Sequence, residues 1–274
     1  MEIWVVDNAS SDGSVEAVKQ FYPGVKIIQN SKNLGFAAAN NRAFKGMQGR
    51  YAVLLNTDAL LTKGAVEAIY DFMESNPDAG MAGGQLLNPN GSKQNSIANF
   101  PGFLSLLLNE TLLRMLLPGR YPSKRKEYKI PIEVESCIGA CLMVRKNVMD
   151  QVGLLDEDYF FFFEETDWAR RIKQSGWKIY LVPTARIVHL QGQSVGHNIN
   201  SRILYYTSRY VYFKKWHPRH YPIIRRIILI RLLTNAVVNL IGVSLTLGLQ
   251  RDVKKRMTLY VQLIQWHIKG CPEI

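Results

Sequence analysis

Short apolar segments alternate with helix-forming segments along the first 75 residues, and this alternation restricts the possible folds most strongly. The predicted elements are strand 3–6, helix 14–21, strand 25–28, helix 36–46, strand 51–55 and helix 63–75. Strands that alternate with helices are typical of a doubly wound, mostly parallel sheet with helices on both faces. The sequence therefore predicts an α/β fold, with the third strand covered on both faces because it is almost purely apolar.

Carboxylates stand where two of these strands end. Asp7 follows the first strand, and Asn56-Thr57-Asp58 follows the third. Ligands of such sheets bind at the carboxyl ends of the strands, so both aspartates are expected in one cleft. Carboxylate oxygens suit Mg²⁺ or Mn²⁺, which typically connect a carboxylate to substrate phosphates. The alternatives are a helix cap, which favours Ser11 or Asp12 over Asp7, and a simple turn aspartate at Asp58.

The segment 159–171 places four phenylalanines directly before three acids, Glu164, Glu165 and Asp167. Aromatic walls exclude water and raise the pKa of a carboxyl group, which suits a general base. The same acids could instead stabilise the first turn of a helix, with Asp167 in an ion pair with Arg170 or Arg171. The residues alone leave both interpretations open.

His189 follows the strand-like Ile187-Val188. A lone histidine is more often structural than a ligand, and His197 and His217 are alternatives for any such role. The three cysteines are an odd number without a metal-binding pattern, which argues against a disulfide framework and favours a reducing compartment. The N-terminal residues lack the features of a signal peptide, so a cytoplasmic location is expected.

The remaining sequence is basic and apolar. The full chain has 34 Lys and Arg against 22 Asp and Glu, which gives a net charge of +12 and favours a polyanionic partner. The stretch 104–117 and the basic segment 120–126 are interpreted as a flexible insertion that touches membrane or acceptor, or as a packed helix and a solvated loop. The uncharged run 232–249 lies between basic clusters, as in a helix that lies on an anionic membrane surface. Crossing the membrane and packing on the α/β domain are the alternatives.

Several strings, taken in order, resemble the family 2 glycosyltransferases of the GT-A fold, especially bacterial rhamnosyltransferase-like members. They are VVDNASSDGS at 5–14, NLGFAAANN at 33–41, LLNTD at 54–58, GACLMVR at 139–145, GLLDE at 153–157, FEETDW at 163–168 with Arg170 and Arg171, GWKI at 176–179, and VH at 188–189. The resemblance covers roughly residues 2–197. Each string is common, but their order and spacing are specific.

The resemblance implies roles for particular residues. Asp7 would contact the pyrimidine base of the donor, Asp58 would bind Mg²⁺ or Mn²⁺ with His189 as second ligand, and Glu165 would be the general base, with Glu164 and Asp167 beside it. The remaining residues of the nucleotide-sugar pocket would be Asn8, Ser10, Asn33, Gly35, Phe36, Asn40, Asn56, Gly139 and Ala140.

The implied function is an inverting, metal-dependent transfer of a sugar from dTDP-rhamnose or a UDP-sugar to a glycan or lipid-linked acceptor. The expected domains are a Rossmann-like GT-A catalytic domain over 1–200 and a helical, membrane-associated tail over 201–274, peripheral on the inner face of the plasma membrane. A first strand, within about 30 further residues, is expected to precede Met1.

Two other functional classes compete. Nucleic acid is not an expected partner, because the basic residues lie outside the α/β part and no nucleic-acid motif accompanies them. A non-catalytic nucleotide-sugar-binding or membrane scaffold protein is the second alternative. It is suggested by Glu164-Glu165 standing where the family has Glu-Asp.

Overall fold

The computed structural model describes residues 1–124, 126–190, 198–247 and 249–272. The chain divides into two compact units. The first unit comprises Met1–Phe100 and Pro118–Ser194, and the second comprises Pro101–Leu117 and Val195–Ile274. Residues 101–117, which lie within the predicted catalytic part of the sequence, therefore belong to the helical second unit.

The described residues of the first unit form ten strands. They are β1 (Trp4–Asp7), β2 (Lys26–Gln29), β3 (Tyr51–Leu55), β4 (Ala59–Leu61), β5 (Ala79–Leu87), β6 (Ile97–Ala98), β7 (Ile132–Glu133), β8 (Ser136–Cys137), β9 (Cys141–Arg145) and β10 (Lys178–His189). Its helices are α1 (Ser14–Phe21), α2 (Phe36–Gly46), α3 (Ala65–Ser75), α6 (Lys146–Val152) and α7 (Glu164–Gln174). The six elements predicted in the first 75 residues are all present, with ends that agree to within two residues.

The strands form one large sheet and two small ones. β1 and β2 make a parallel pair, and β6 pairs with β8. The large sheet has the order β3-β9-β5-β10-β4, and β7 adds to β10. In this sheet β5 and β10 are parallel, whereas the other described pairs are antiparallel. The α/β class is confirmed, but the expectation of mostly parallel pairing is wrong for this sheet, because β9 runs opposite to both of its neighbours.

The core of the first unit lies between the large sheet and its helices. Met81 and Leu142 of the sheet and Trp168 of α7 are fully buried. β3 differs from the prediction, since Ala52 and Leu54 are buried while Val53 and Leu55 remain 39% exposed. Its residues therefore alternate between a covered and an open face, which an uninterrupted apolar sequence does not reveal.

The second unit is helical. It contains α4 (Phe103–Leu107), α5 (Glu110–Leu116), α8 (Ile199–Trp216), α9 (Tyr221–Leu245) and α10 (Arg251–Ile268). Ile224, Ile228 and Leu232 of α9 are buried, and Leu263 and Trp266 of α10 are buried as well. The helical stretch Pro218–Leu245 is long and apolar enough to cross a membrane, and its most apolar 18-residue window has a mean hydropathy of 1.9. Only 11% of its most apolar window is buried inside the protein, so most of that apolar surface is uncovered.

Candidate active site

Two loops after β1 and β2, which we call the amide loops (residues 7–10 and 30–35), are joined by asparagine side chains. The Nδ2 of Asn8 donates to Asn33 Oδ1 at 2.8 Å and to the carbonyl of Gly35 at 3.2 Å. The Oδ1 of Asn8 accepts from Asn30 Nδ2 and from the amide of Leu34, both at 3.0 Å. All the hydrogen-bonding positions of this amide are thus used to hold one loop against the other.

Gly35 brings the second amide loop against the aromatic segment that precedes α7. Its φ is +82°, and a Cβ atom there would lie 2.5 Å from the carbonyl oxygen of Phe160. The amide of Phe36 donates to that same oxygen at 2.7 Å. Any side chain at position 35 would therefore separate the loop from the aromatic segment.

Asp58 and His189 are neighbours because β4 and β10 pair beside them. Ala59 lies opposite His189 in the ladder, and the amide of Leu190 donates to the carbonyl of Asp58 at 2.9 Å. The Nε2 of His189 lies 3.4 Å from Asp58 Oδ1, and both side chains are buried. The Oδ1 of Asp58 has no hydrogen-bond partner. A buried carboxylate oxygen in this state is costly unless a ligand or cation reaches it.

Gly139 and Ala140 connect this pair to the start of α7. The amide of Asn56 donates to the carbonyl of Ala140 at 3.0 Å. A Cβ atom at Gly139 would lie 3.5 Å from Cγ of Glu165. The ends of β3 and β10, the residues before β9 and the first turn of α7 therefore form one continuous region. We call its four ionisable residues, Asp58, Glu164, Glu165 and His189, the acidic floor.

The backbone turns sharply before α7. Phe162 and Phe163 have φ values of 72° and 70°, in the left-handed region that bulky residues rarely adopt. Phe163 is the N-cap of α7, so this turn decides which way the first helical side chains point. Unfavourable backbone conformations of this kind concentrate at functional sites.

Glu164 and Glu165 follow that turn and are both protonated more readily than ordinary glutamates. Burial raises the pKa of Glu165 to about 7. Burial, and secondarily the charge of Glu165, raises the pKa of Glu164 well above its usual range. The Oε2 of Glu164 is buried without a hydrogen-bond partner. Burial therefore favours the protonated form of Glu164, while Glu165 is poised near neutral pH between its two forms.

Asp167 is held differently. It is fully buried, accepts a hydrogen bond from Arg171 Nε at 2.9 Å and another from the Tyr159 hydroxyl at 3.3 Å. Arg171 also donates to the carbonyls of Val152 and Leu154, both at 2.7 Å. The ion pair expected from the helical spacing is present with Arg171. Through Arg171 this pair connects α7 to the end of α6 and the residues after it, so the Asp167 carboxylate is engaged within the protein.

The predicted site residues thus fall into groups. Asn8, Asn33, Gly35 and Phe36 belong to the joined amide loops, whereas Asn56, Gly139, Ala140 and the acidic floor form the second region. Asp7 is buried and accepts from the amide of Ser10 at 3.1 Å. Asn40 donates to Phe36 within its own helix. Among the alternatives, His197 and Arg125 lie outside the described residues, and His217 ends α8 in the second unit.

Sequence reasoning missed two residues. Gln94 contacts His189 with its side chain at 2.7 Å. Asn41 is buried and binds the backbone of Leu155 through both its amide nitrogen and its oxygen. The string NN at 40–41 carried a signal for Asn41, because a second consecutive amide inside a helix needs a partner. A single glutamine in an irregular segment carries no comparable signal.

Asp58 and His189 can hold a divalent cation only if oxygens of the substrate supply further ligands to it. The described part of the chain has no group of three or more His, Cys, Asp or Glu side chains that could hold a metal. Asp58 and His189 offer one carboxylate and one imidazole, and the unpartnered Oδ1 of Asp58 faces the ring. Mg²⁺ is commonly held by one or two protein ligands together with phosphate oxygens and water, so this pair is sufficient.

The profile of glycosyl transferase family 2 matches residues 1–153, more than half of the chain. The chain belongs to this family. It is a glycosyltransferase, as the resemblance in the sequence predicted. The match includes the amide loops, Asp58 and Gly139, whereas α7 and His189 lie beyond its end.

Similar proteins agree. The N-acetylglucosaminyl-diphospho-decaprenol L-rhamnosyltransferase of Mycobacterium tuberculosis is 29% identical over 235 residues, which span 79% of this chain and 76% of the relative. The mannosyltransferase PcManGT of Pyrobaculum calidifontis, solved with GDP-Man and Mn²⁺, has a TM-score of 0.54 at 17% identity and covers 98% of this chain and 77% of its own. GalNAc-T7, solved with UDP, GalNAc and Mn²⁺, has a TM-score of 0.53 at 16% identity, and the match covers 80% of this chain and 45% of that one. These structures confirm the GT-A-like fold.

Proposed function

We propose that this glycosyltransferase is an inverting, metal-dependent enzyme that transfers rhamnose from a nucleoside-diphosphate rhamnose to a lipid-linked acceptor. The observation that carries the proposal is the desolvated Glu165, whose pKa is raised to about 7 beside Gly139. The name of the mycobacterial relative supports both the sugar and the acceptor class. dTDP-rhamnose is the leading donor, and UDP-sugars are the alternative.

Glu165 is the proposed general base. Its ionised form takes the proton of the acceptor hydroxyl as the acceptor oxygen forms a bond to the anomeric carbon. The bond from that carbon to the diphosphate oxygen breaks in the same step, and the nucleoside diphosphate leaves with the electron pair. A single in-line displacement inverts the configuration. A Cβ atom at Gly139 would lie within 4 Å of the Glu165 side chain, so the residues before β9 lie directly beside the base.

Glu164 would assist the base through its own raised pKa. A second negative charge beside Glu165 would disfavour ionisation of the base. Burial raises the pKa of Glu164 well above its usual range and so disfavours that charge. Asp167 is engaged with Arg171 and Tyr159, so we assign it the task of holding α7 in place and leave proton transfer to Glu165.

Asp58 and His189 would hold Mg²⁺ or Mn²⁺. When bound, the cation would neutralise negative charge on the departing diphosphate. The buried, unpartnered oxygens of Asp58 and Asn56 support this assignment, because each can accept a ligand without breaking an existing hydrogen bond.

The amide loops would form the nucleotide side of the donor site. Asp7 would receive the pyrimidine base, and Ser10 closes the turn beside it. Asn8 and Asn33 would act by holding the loops together, since their amides are engaged with each other. Gly35, Phe36 and Asn40 would complete this wall from the start of α2.

Residues 1–200 are the proposed catalytic domain, and residues 201–274 are the proposed tail. The tail makes up most of the second unit, which is the proposed membrane-binding part. α9 exposes a largely apolar surface, with Val238 60% and Leu245 81% exposed. Basic residues lie near its start and in the helix after it, as anionic lipid would require. We favour α9 lying in the interface on the cytoplasmic face of the plasma membrane over crossing it. Flotation with anionic liposomes at low salt tests this, and protein that remains at the bottom of the gradient contradicts it.

The transfer itself is tested with a panel of nucleotide sugars and a polyprenyl-diphosphate-linked N-acetylglucosamine acceptor, each with Mg²⁺, Mn²⁺ or a chelator. We expect turnover of dTDP-rhamnose with either cation, and an inverted anomeric configuration in the product by NMR. Donor binding without turnover on any acceptor would favour a non-catalytic nucleotide-sugar-binding or scaffold protein instead. Turnover that survives the chelator would remove the metal from the proposal.

A further inference from the structure

The imidazole of His189 lies between two oxygen atoms. Its Nδ1 is 2.7 Å from Oε1 of Gln94, and its Nε2 is 3.4 Å from Oδ1 of Asp58. A neutral imidazole carries one N–H hydrogen, so it donates to only one of these two oxygens. Which nitrogen carries the hydrogen decides whether Nε2 can act as a metal ligand.

The orientation of the Gln94 amide settles the choice. Its Nε2 donates to the main-chain carbonyl of His189 at 3.1 Å and to Oδ1 of Asn88 at 3.0 Å. A main-chain carbonyl can only accept a hydrogen bond, so the amide cannot be turned around without setting two oxygens against each other. The Oε1 of Gln94 must therefore face Nδ1, and Nδ1 must carry the hydrogen.

Gln94 is itself held firmly. The chain leaves β5, turns at residues 88–92 and returns alongside it, where the amide of Gln94 donates to Leu86 O at 2.8 Å. The carbonyl of Gln94 accepts from Gln85 Nε2 at 2.9 Å, and Gln85 also binds Ser96 Oγ at 2.7 Å. Backbone and side-chain hydrogen bonds thus fix the position of this amide before any ligand arrives.

The result is an arrangement that attracts a cation. With the hydrogen on Nδ1, the lone pair of Nε2 lies on the side of the ring that faces Asp58 Oδ1, and that oxygen receives no hydrogen bond. If the hydrogen moved to Nε2, it could bond to Asp58, and the lone pair needed for metal coordination would disappear. The two nitrogen–oxygen contacts therefore compete for one hydrogen.

We propose that Gln94 is a positioning residue that holds His189 in the Nδ1–H tautomer and so keeps Nε2 available for the divalent cation. The inference rests on the proposed function, since it concerns the site in which Asp58 and His189 would bind the metal. Partners that orient a histidine ligand through its other nitrogen typically contribute 10–100-fold to metal affinity. Gln94 would act in this way although it touches neither substrate nor metal.

The test compares Gln94→Leu with Asn95→Leu in the full chain. Asn95 is the next amide along the same segment and is exposed, and its one hydrogen bond among the described residues is from the backbone of Ile97, at 3.5 Å. Mn²⁺ binding is measured by titration calorimetry in the presence of thymidine diphosphate. We expect Gln94→Leu to weaken Mn²⁺ binding by about 10–100-fold, and Asn95→Leu to leave it within about twofold. Equal affinities for the two variants would overturn the proposal.

The tautomer is read directly from the ¹⁵N chemical shifts of labelled histidine, at a pH where the ring is neutral and without metal. His189 is assigned by its loss in His189→Gln. The wild-type protein should give the Nδ1–H pattern, and Gln94→Leu should shift it towards Nε2–H. An Nε2–H pattern in the wild-type protein overturns the proposal even if Gln94→Leu does not fold.

A parallel titration of Asp58→Ala separates this inference from the proposed function. If Asp58→Ala abolishes Mn²⁺ binding while Gln94→Leu leaves it unchanged, only the role of Gln94 is wrong. If Asp58→Ala also binds Mn²⁺ normally, the metal site itself lies elsewhere.

Discussion

The amide loops and the acidic floor are both rich in polar side chains, yet they differ in how these side chains are bonded. In the amide loops the side chain of Asn8 makes four hydrogen bonds within the protein. In the acidic floor, oxygens of Asp58 and Glu164 are buried with no hydrogen bond at all. Satisfied groups stabilise the folded chain, whereas unsatisfied buried groups cost free energy that a ligand can recover. We infer that this difference separates residues that would shape the proposed site from those that would react in it.

The largest expected effect of this difference is at the base. Glu165→Gln keeps the size of the side chain and removes the ability to take a proton, so the rate of sugar transfer should fall by about 10²–10⁴-fold. Donor binding, measured by calorimetry, should remain nearly unchanged. Asp167→Asn is measured for comparison. If Asp167→Asn loses transfer at unchanged stability while Glu165→Gln keeps its rate, the base is Asp167.

The second effect is at Asp58. Asp58→Ala removes one of the two proposed metal ligands. We expect the metal-dependent affinity for the donor to fall by about 100-fold, because a bound cation stabilises negative charge by several kcal/mol. Thermal unfolding should remain cooperative, because the lost carboxylate oxygen has no hydrogen-bond partner in the folded chain. Unchanged donor affinity in the presence of Mn²⁺ would contradict the assignment.

A third effect follows from the raised pKa of Glu165. Its pKa rises from 4.5 to about 7 on folding, so between these values the folded state binds more protons than the unfolded one. Glu165 should therefore lower the free energy of unfolding by about 3 kcal/mol as the pH rises from about 4.5 to 7. Denaturant titrations across this range measure the slope. Glu165→Gln should make the slope less steep, and the raised pKa of Glu164 should account for part of what remains. An equally steep slope in that variant would assign the proton uptake to another group.

The smallest effect is expected in the amide loops. Asn8→Ala removes hydrogen bonds that join the two loops, and we expect a loss of about 1 kcal/mol of stability, measured by urea denaturation. Transfer at saturating donor should be nearly normal, because Asn8 is engaged within the protein. A variant with wild-type stability and strongly reduced donor binding would show that Asn8 contacts the nucleotide, and the contrast between the two regions would fail.

The sequence predicted the local elements of the first unit well. The helix at 36–46 coincides with α2, and the turn residues after the first strand locate the start of α1. These features depend on neighbouring residues, so a local pattern contains the necessary information. The order of the large sheet does not depend on neighbours, because β9 enters between β3 and β5 from more than 50 residues further along the chain.

The same distinction applies to the site. Asp58, Glu165 and His189 were predicted from strand ends and from the resemblance, and their roles remain predictions. The hydrogen bond between Gln94 and His189 joins residues that are 95 positions apart, and the one between Asn8 and Asn33 joins residues 25 apart. No spacing rule connects such pairs. The left-handed backbone of Phe162 and Phe163 was also missed, since phenylalanine is among the residues least expected in that conformation.

The contact between Gly35 and Phe160 has a consequence for motion. The backbone of the second amide loop touches the backbone of the aromatic segment directly, and a hydrogen bond from Phe36 reinforces the contact. Asn8 ties the first amide loop to the same place. The nucleotide side and the segment leading to Glu165 should therefore fluctuate together as one body rather than open and close against each other. Hydrogen-exchange rates in the two segments would then rise and fall in step when a donor binds or leaves.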